Sequence, residues 1–377
     1  MPMSWRKPQR TPLPCLPLTY SECRARFMHA ARQAGQPVDA HAIPAPGPFD
    51  ERLTIDVVHL GAAIPRRALL ILSGVHGVEG FIGSALQCDL LERFDSTTLP
   101  EDMALVLVHS VNPWGMAWSR RQNESNVDLN RNWRRSDMDP IHNDAYDSLH
   151  AIVCPDTDTL PSLDELFAAV RACVEEKGST WTSDGITKGQ YRHADGLHYG
   201  GERTEASCLS MERILAQHLA GVERLFTLDL HTGHGPRGAV TLLCDQPPGS
   251  DQHAFLCALL GTERVEATVD NPDATTALKS GQVANGVGAF LDVPVAHATS
   301  AEFGTVSEGK LLAATVLENW VAQHGDRSQP EHAAAVWRYR CCFTPDDPEW
   351  EQTAMTSGRE LIEASVAAVA RWADHGR

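Results

Sequence analysis

The chain has 377 residues, 42% hydrophobic and 21% charged, a globular composition with length enough for one large domain or two ordinary ones. Its formal net charge is -17, so a nucleic-acid backbone or an anionic membrane surface would repel it, and no basic patch of useful length offsets that charge. No stretch approaches the roughly eighteen apolar residues of a membrane span, and no apolar segment follows the positive charges of residues 1–11, so a soluble, cytoplasmic protein with no nucleic-acid or membrane partner is expected. Residues 1–19, rich in proline and basic side chains, read as an extended arm. Phe27, Met28 and Ala31 recur at helical spacing over 23–34, and Gly35 ends that helix. A Pro- and Gly-bearing loop over 44–49 precedes a strand over 53–60.

The next stretch, Leu70-Ile-Leu-Ser-Gly-Val-His-Gly-Val-Glu-Gly80, organises the rest. An apolar run over 68–72 stops at Ser73-Gly74, and a helix over 81–94 follows with Leu86, Leu90 and Leu91 on one face. With a buried strand over 104–108 this makes a βαβ unit. Asn112-Pro113 opens a polar loop over 119–133, whose charged and amide groups crowd around only Val127, Leu129 and Trp133, a pattern of a site rather than a core. An insertion at about 134–224 follows, with helices over 163–176 and 205–219 and a Gly/His/Tyr-rich loop over 190–201 between them. A buried strand over 225–230 delivers His231, and another over 294–301 leads to Glu302. Helices over 308–324 and 351–375 close the chain. Ten cysteines without C-x-x-C spacing, Cys341-Cys342 included, read as ordinary thiols. Without a repeat or linker, 20–377 is expected to form a single α/β domain with a mixed, largely parallel sheet flanked by helices.

Three strands are each followed by polar residues: His76 with Glu79, then His231, then Glu302. In an open α/β sheet that edge is where ligands bind. Imidazole nitrogen and carboxylate oxygen both suit zinc, and catalytic zinc takes three protein ligands and leaves a fourth position for water. His76, Glu79 and His231 form such a set, with Glu302 as the base that accepts the proton of water. By itself the His-x-x-Glu pair would also fit a polar turn capping the next helix.

Gly-Val-His76-Gly-Val-Glu79-Gly, Asn-Pro-Trp-Gly115, Val-Asp-Leu-Asn130-Arg131-Asn132, Asp-Leu-His231-Thr-Gly and Ala-Glu302-Phe-Gly-Thr stand in the order and context of the zinc carboxypeptidase superfamily. From about Tyr20 to the C-terminal helix the chain resembles an uncharacterised bacterial branch of it, near the succinylglutamate desuccinylases and aspartoacylases. The resemblance implies one zinc ion per chain on His76, Glu79 and His231, with Glu302 as general base. It implies that Asn130 and Arg131 hold a substrate carboxylate, for which a guanidinium is suited, and that Arg121 stabilises the oxyanion, with Arg120 as the alternative. Structurally, either arginine would also be accounted for by a salt bridge with Glu124 or Asp128.

Digestive-type carboxypeptidases carry a substrate-binding tyrosine between the third ligand and the glutamate, and no tyrosine lies between His231 and Glu302 here. The expected function is therefore zinc-dependent hydrolysis of an amide bond in a small, carboxylate-bearing substrate, of the kind that N-acyl amino acid deacylases perform. The alternatives are a metallocarboxypeptidase acting on short or cell-wall peptides, and a non-catalytic binding protein, which would have no need of Glu302. Tyr191 and Tyr199 read as packed loop residues that could instead fold over the site, and His234 could reach the pocket rim. His59 and His109 read as structural, no second metal is expected from His193 and His198, and Asp229 fits equally an acceptor behind a ligand imidazole or an ordinary paired carboxylate.

Overall fold

The structure is a computed structural model that describes Trp5 and residues 16–133, 142–270 and 279–372. Most of the expected arm over 1–19, the start of the insertion at 134–141 and the last residues of the closing helix thus lie outside the described residues. In chain order come α1 (Tyr20–Gln33), β1 (Asp39–Ala42), β2 (Thr54–Gly61), β3 (Arg67–Ser73), α2 (Gly80–Arg93), β4 (Met103–His109), α3 (Pro113–Trp118) and α4 (Leu129–Asn132). Residues 142–224, within the expected insertion, contribute α5 (Asp144–Val153), α6 (Leu163–Lys177), α7 (Ser179–Thr187) and α8 (Ala206–Leu219). Then follow β5 (Arg224–Gly233), β6 (Val240–Cys244), α9 (Asp251–Leu260), β7 (Val265–Ala267), α10 (Val283–Phe290), β8 (Val295–Gly304), α11 (Glu308–His324), α12 (Pro330–Phe343) and α13 (Pro348–Ala370). No described helix is long and apolar enough to cross a membrane.

The strands form one mixed sheet in the order β1-β2-β4-β3-β5-β8-β6-β7. Its centre, β4-β3-β5-β8, is parallel throughout. On one side β2 pairs antiparallel with β4 and β1 with β2, and on the other β6 pairs antiparallel with β8. The unbroken apolar run in β3 has a simple cause, because a central strand is covered on both faces. Leu69 and Ile71 join a core with residues of α1, α2 and α13, while Ala68, Leu70 and Leu72 join another with residues of α8 and α10. Burying each Leu or Ile contributes roughly 1.5–3 kcal/mol, so a change of register in β3 would be costly.

Two departures from the sequence reading bear on the site. β8 does not stop at Ala301; it continues to Gly304, because β5 pairs along its full length and β6 joins the far side with Thr241 opposite Glu302. Glu302 is therefore held inside a strand rather than at the start of a loop. The second is that β1, β6, β7, α3, α4, α5, α7, α9, α10 and α12 were not anticipated, α3 and α4 lying where a polar loop was expected. Of these, α12 carries Pro330 in its first turn, where a missing N–H costs nothing, and it buries Ala335, Tyr339 and Phe343.

Candidate metal centre and active site

The chain leaves β3 through Gly74 at φ 66°, and His76 precedes a single tight turn, Gly77–Glu79, before α2 begins. That turn packs against α3 so closely that a Cβ on Gly77 would lie 2.1 Å from the backbone of Gly115 and Met116. Asn112 caps α3 by accepting from Gly115 N at 2.8 Å and donates through Nδ2 to Arg121 O at 3.1 Å. Val78 N and Gly77 N in turn donate to Arg120 O and Arg121 O. The Gly-Val-His and Asn-Pro-Trp-Gly motifs are thus two halves of one backbone junction, which sets Arg121 beside Glu79.

His76, Glu79 and His231 are all buried, and each offers a ligand atom within 4.8 Å of the others. One Glu79 oxygen lies 3.0 Å from His76 Nδ1 and the other 2.9 Å from His231 Nδ1. The far nitrogens face carboxylates: His76 Nε2 is 3.1 Å from Asp128 and His231 Nε2 is 2.7 Å from Asp229. An imidazole that donates its Nε2–H to a carboxylate presents Nδ1 as a lone pair, and such carboxylates orient metal ligands. His76 Nδ1 is buried and makes no hydrogen bond among the described residues. The donor set therefore fits a zinc ion in both chemistry and aim. Burial opposes ionisation of Glu79, but His76, His231 and Arg121 hold its carboxyl far below the usual range. Burial likewise opposes charge on His231, and Asp229 and Glu79 overcome it and raise its pKa. Asp229 thus lies behind an imidazole of this set.

Asp128 is the residue the sequence reading missed, having appeared there only as an arginine's possible partner. It is fully buried and accepts from Arg121 Nε at 3.0 Å and Asn130 N at 2.9 Å, besides facing His76 and, at 3.3 Å, His198 Nδ1. Burial works against its charge, and Arg121, His76 and Arg131 pull its pKa well down. Its place two residues before Asn130 in Val-Asp-Leu-Asn was the available signal.

Arg121 bridges Glu79 at 2.8 Å and Asp128, whereas Arg120 turns to Asn126 and Glu318. Of the two arginines, Arg121 is the one brought to the metal set. Glu302 is half-buried on β8 beside His231, and His234 N donates to its Oε2 at 3.4 Å. A cleft of about 430 Å3 opens next to it, lined in part by His234, Thr241, Glu266 and Glu308. His234 lines that cleft, with Nε2 3.0 Å from Glu266. Lys279 lies in electrostatic reach of Glu302 and Arg131; burial, with Arg131 next, pushes its pKa down to about 8.

Asn130 and Arg131 are buried. Asn130 Oδ1 accepts from Val283 N at 2.9 Å, which ties α4 to the start of α10. Arg131 donates to three backbone carbonyls, those of Thr187 at 2.8 Å, Asn130 at 3.0 Å and Lys188 at 3.1 Å. Its guanidinium thus closes the end of α7, a use that no local pattern announces. Tyr191 donates its hydroxyl to Arg131 O, and Tyr199 is buried, with Asp128 N donating to its carbonyl. His59 contacts Ala62 O and His218, and His109 contacts Ser84, so both serve the packing.

A family model described as "Protein of unknown function (DUF2817)" matches residues 17–357. The chain belongs to that family. No curated protein matches this DUF2817 chain at a significant level. Among solved structures it is similar to a carboxypeptidase A from Helicoverpa armigera, at 12% identity over 95% of this chain and 74% of that one, with a TM-score of 0.55. It is also similar to the murein-tripeptide amidase MpaA from Escherichia coli O157, at 16% identity over 86% and 96% of the two chains (TM-score 0.40). A succinylglutamate desuccinylase from Chromobacterium violaceum matches at 13% identity over 85% and 73% (TM-score 0.38). The first likeness shows the fold: this DUF2817 chain has a zinc-carboxypeptidase-like α/β fold, and it carries a His-Glu-His set at the sheet's edge.

Proposed function

We propose that the chain is a zinc-dependent hydrolase that cleaves an amide bond in a small, carboxylate-bearing substrate such as an N-acyl amino acid. The observation that carries this reading is the convergence of two imidazole Nδ1 atoms on Glu79, next to a carboxylate on the neighbouring strand. His76, Glu79 and His231 would hold one zinc ion per chain at this set, and bound there it would supply the Lewis acidity that brings the pKa of water to about 7. Glu302 takes the proton of the attacking water and passes it to the leaving nitrogen. Arg121, fixed between Glu79 and Asp128, stabilises the oxyanion. Arg131 attracts the substrate carboxylate as a buried cation, with Asn130 beside it; its three bonds to backbone carbonyls favour attraction through charge over a bidentate clasp.

Cleavage of short peptides is the second reading, and the fold's likeness to a carboxypeptidase A favours it. The absence of a tyrosine between His231 and Glu302 favours deacylation. A screen of the zinc-loaded protein for amine release from N-acyl amino acids and from dipeptides separates the two. Release from neither, by protein shown to contain zinc, would remove the proposal.

A further inference from the structure

The insertion gathers a second group of metal-ligating side chains outside the set just described. His150 stands in the last turn of α5, and His193 and Asp195 on the loop between α7 and α8; each offers a donor atom within 4.8 Å of the other two. The two imidazoles are stacked with ring centroids 4.0 Å apart. His150 Nε2 is 3.5 Å from an Asp195 oxygen, and His150 Nδ1 is buried and makes no hydrogen bond among the described residues. His193 Nε2 lies 2.9 Å from Asp147 Oδ1, which repeats the arrangement at His76 and His231, where a carboxylate orients each ring through its far nitrogen.

We propose that His150, His193 and Asp195 form a second zinc site, separate from His76, Glu79 and His231, that fastens α5 to the loop following α7. Two imidazoles are borderline ligands that suit zinc, which also accepts a carboxylate oxygen, whereas magnesium and calcium prefer oxygen alone. The histidines are half-buried and Asp195 is exposed, so this site holds its ion less tightly than the buried set. The loop it fastens also touches the first site. Asn126 Nδ2 holds Ala194 O at 2.8 Å and Gly196 O at 3.1 Å, and His198, in the left-handed region at φ 52°, sets its ring against Asp128. An ion on His193 and Asp195 therefore restrains the segment that supports the carboxylate behind His76.

The test is a zinc titration of the metal-free full chain against a competing chelator, with metal content measured after gel filtration. Two equivalents are expected, one tighter than the other. His150→Ala with His193→Ala should weaken the second equivalent by more than about 100-fold and spare the first, since losing only a ligand's supporting hydrogen bond costs roughly 10–100-fold. His231→Ala should do the reverse, so failure of the first site and of the second are read separately. Asp195→Asn, on an exposed side chain, leaves the fold intact and should weaken the second equivalent by about tenfold or more. A single equivalent in the parent, or a second one unchanged in these variants, overturns the proposal.

Discussion

Glu302 and His231 are register partners on adjacent parallel strands, so both side chains leave the sheet on the same side. Their spacing is set by the backbone hydrogen bonds of β5 and β8 rather than by a loop. A carboxylate held this way is positioned by strand pairing on both sides of β8.

Glu302→Gln should leave zinc content and thermal unfolding unchanged, because the amide keeps the shape of the side chain. Turnover should fall by about 10²–10⁴, the usual contribution of general acid–base catalysis. Near-normal kcat in this variant would remove Glu302 from the mechanism.

Among the described residues, Asp229 touches the metal set only through His231 Nε2, at 2.7 Å. Asp229→Asn should weaken zinc binding at the first site by roughly 10–100-fold, measured by chelator competition, with turnover largely retained at saturating zinc. Unaltered affinity would mean that this carboxylate does not support the ligand.

Arg131 holds backbone carbonyls in the structure, and the proposed function gives it the substrate carboxylate as well. Arg131→Ala removes the donor to the carbonyls of Thr187, Asn130 and Lys188; a buried group left unpaired costs roughly 1–3 kcal/mol, and the bond to Asn130 is the buried one of the three, so the urea midpoint should drop. At a temperature where the variant is still folded, KM should rise for free-carboxylate substrates, and amidating the substrate should reproduce most of that defect in the parent. Equal hydrolysis of amidated and free-carboxylate substrates by the parent would leave Arg131 only its structural load.

Burial, with the charge of Arg24 second, pushes the pKa of His109 from 6.5 down to about 3. Between those values the unfolded chain binds a proton that the folded chain does not, so stability is complete above pH 6.5 and is lost as pH falls toward 3. His109→Gln should flatten the fall of Tm over this range; parallel curves for variant and parent would show that His109 contributes nothing to acid sensitivity.

The metal set was legible in the sequence because its supports are local. Ser73-Gly74 ends an apolar run, Gly77 must be a glycine to pass Gly115, and the residue types at 76 and 79 then state their chemistry. Arg131 was legible as a residue but not in its contacts, since its partners are carbonyls at the end of α7, a short helix of mixed polar residues that has no clear periodicity. Asp128 was hidden for a related reason: its four side-chain partners, His76, Arg121, Arg131 and His198, come from three separate parts of the chain. The end of β8 was misjudged because the strand that holds it, β6, is five residues long and flanked by glycine and proline.

The most direct test of the central claim is amine release from an N-acyl amino acid as zinc is added back to the metal-free protein. Activity should be absent without metal, rise in proportion to the tighter equivalent and level off once it is filled, while His231→Ala, still folded, should recover nothing over the same range. Activity that survives chelation, or that returns equally in His231→Ala, would contradict the assignment of His76, Glu79 and His231 as the catalytic metal set.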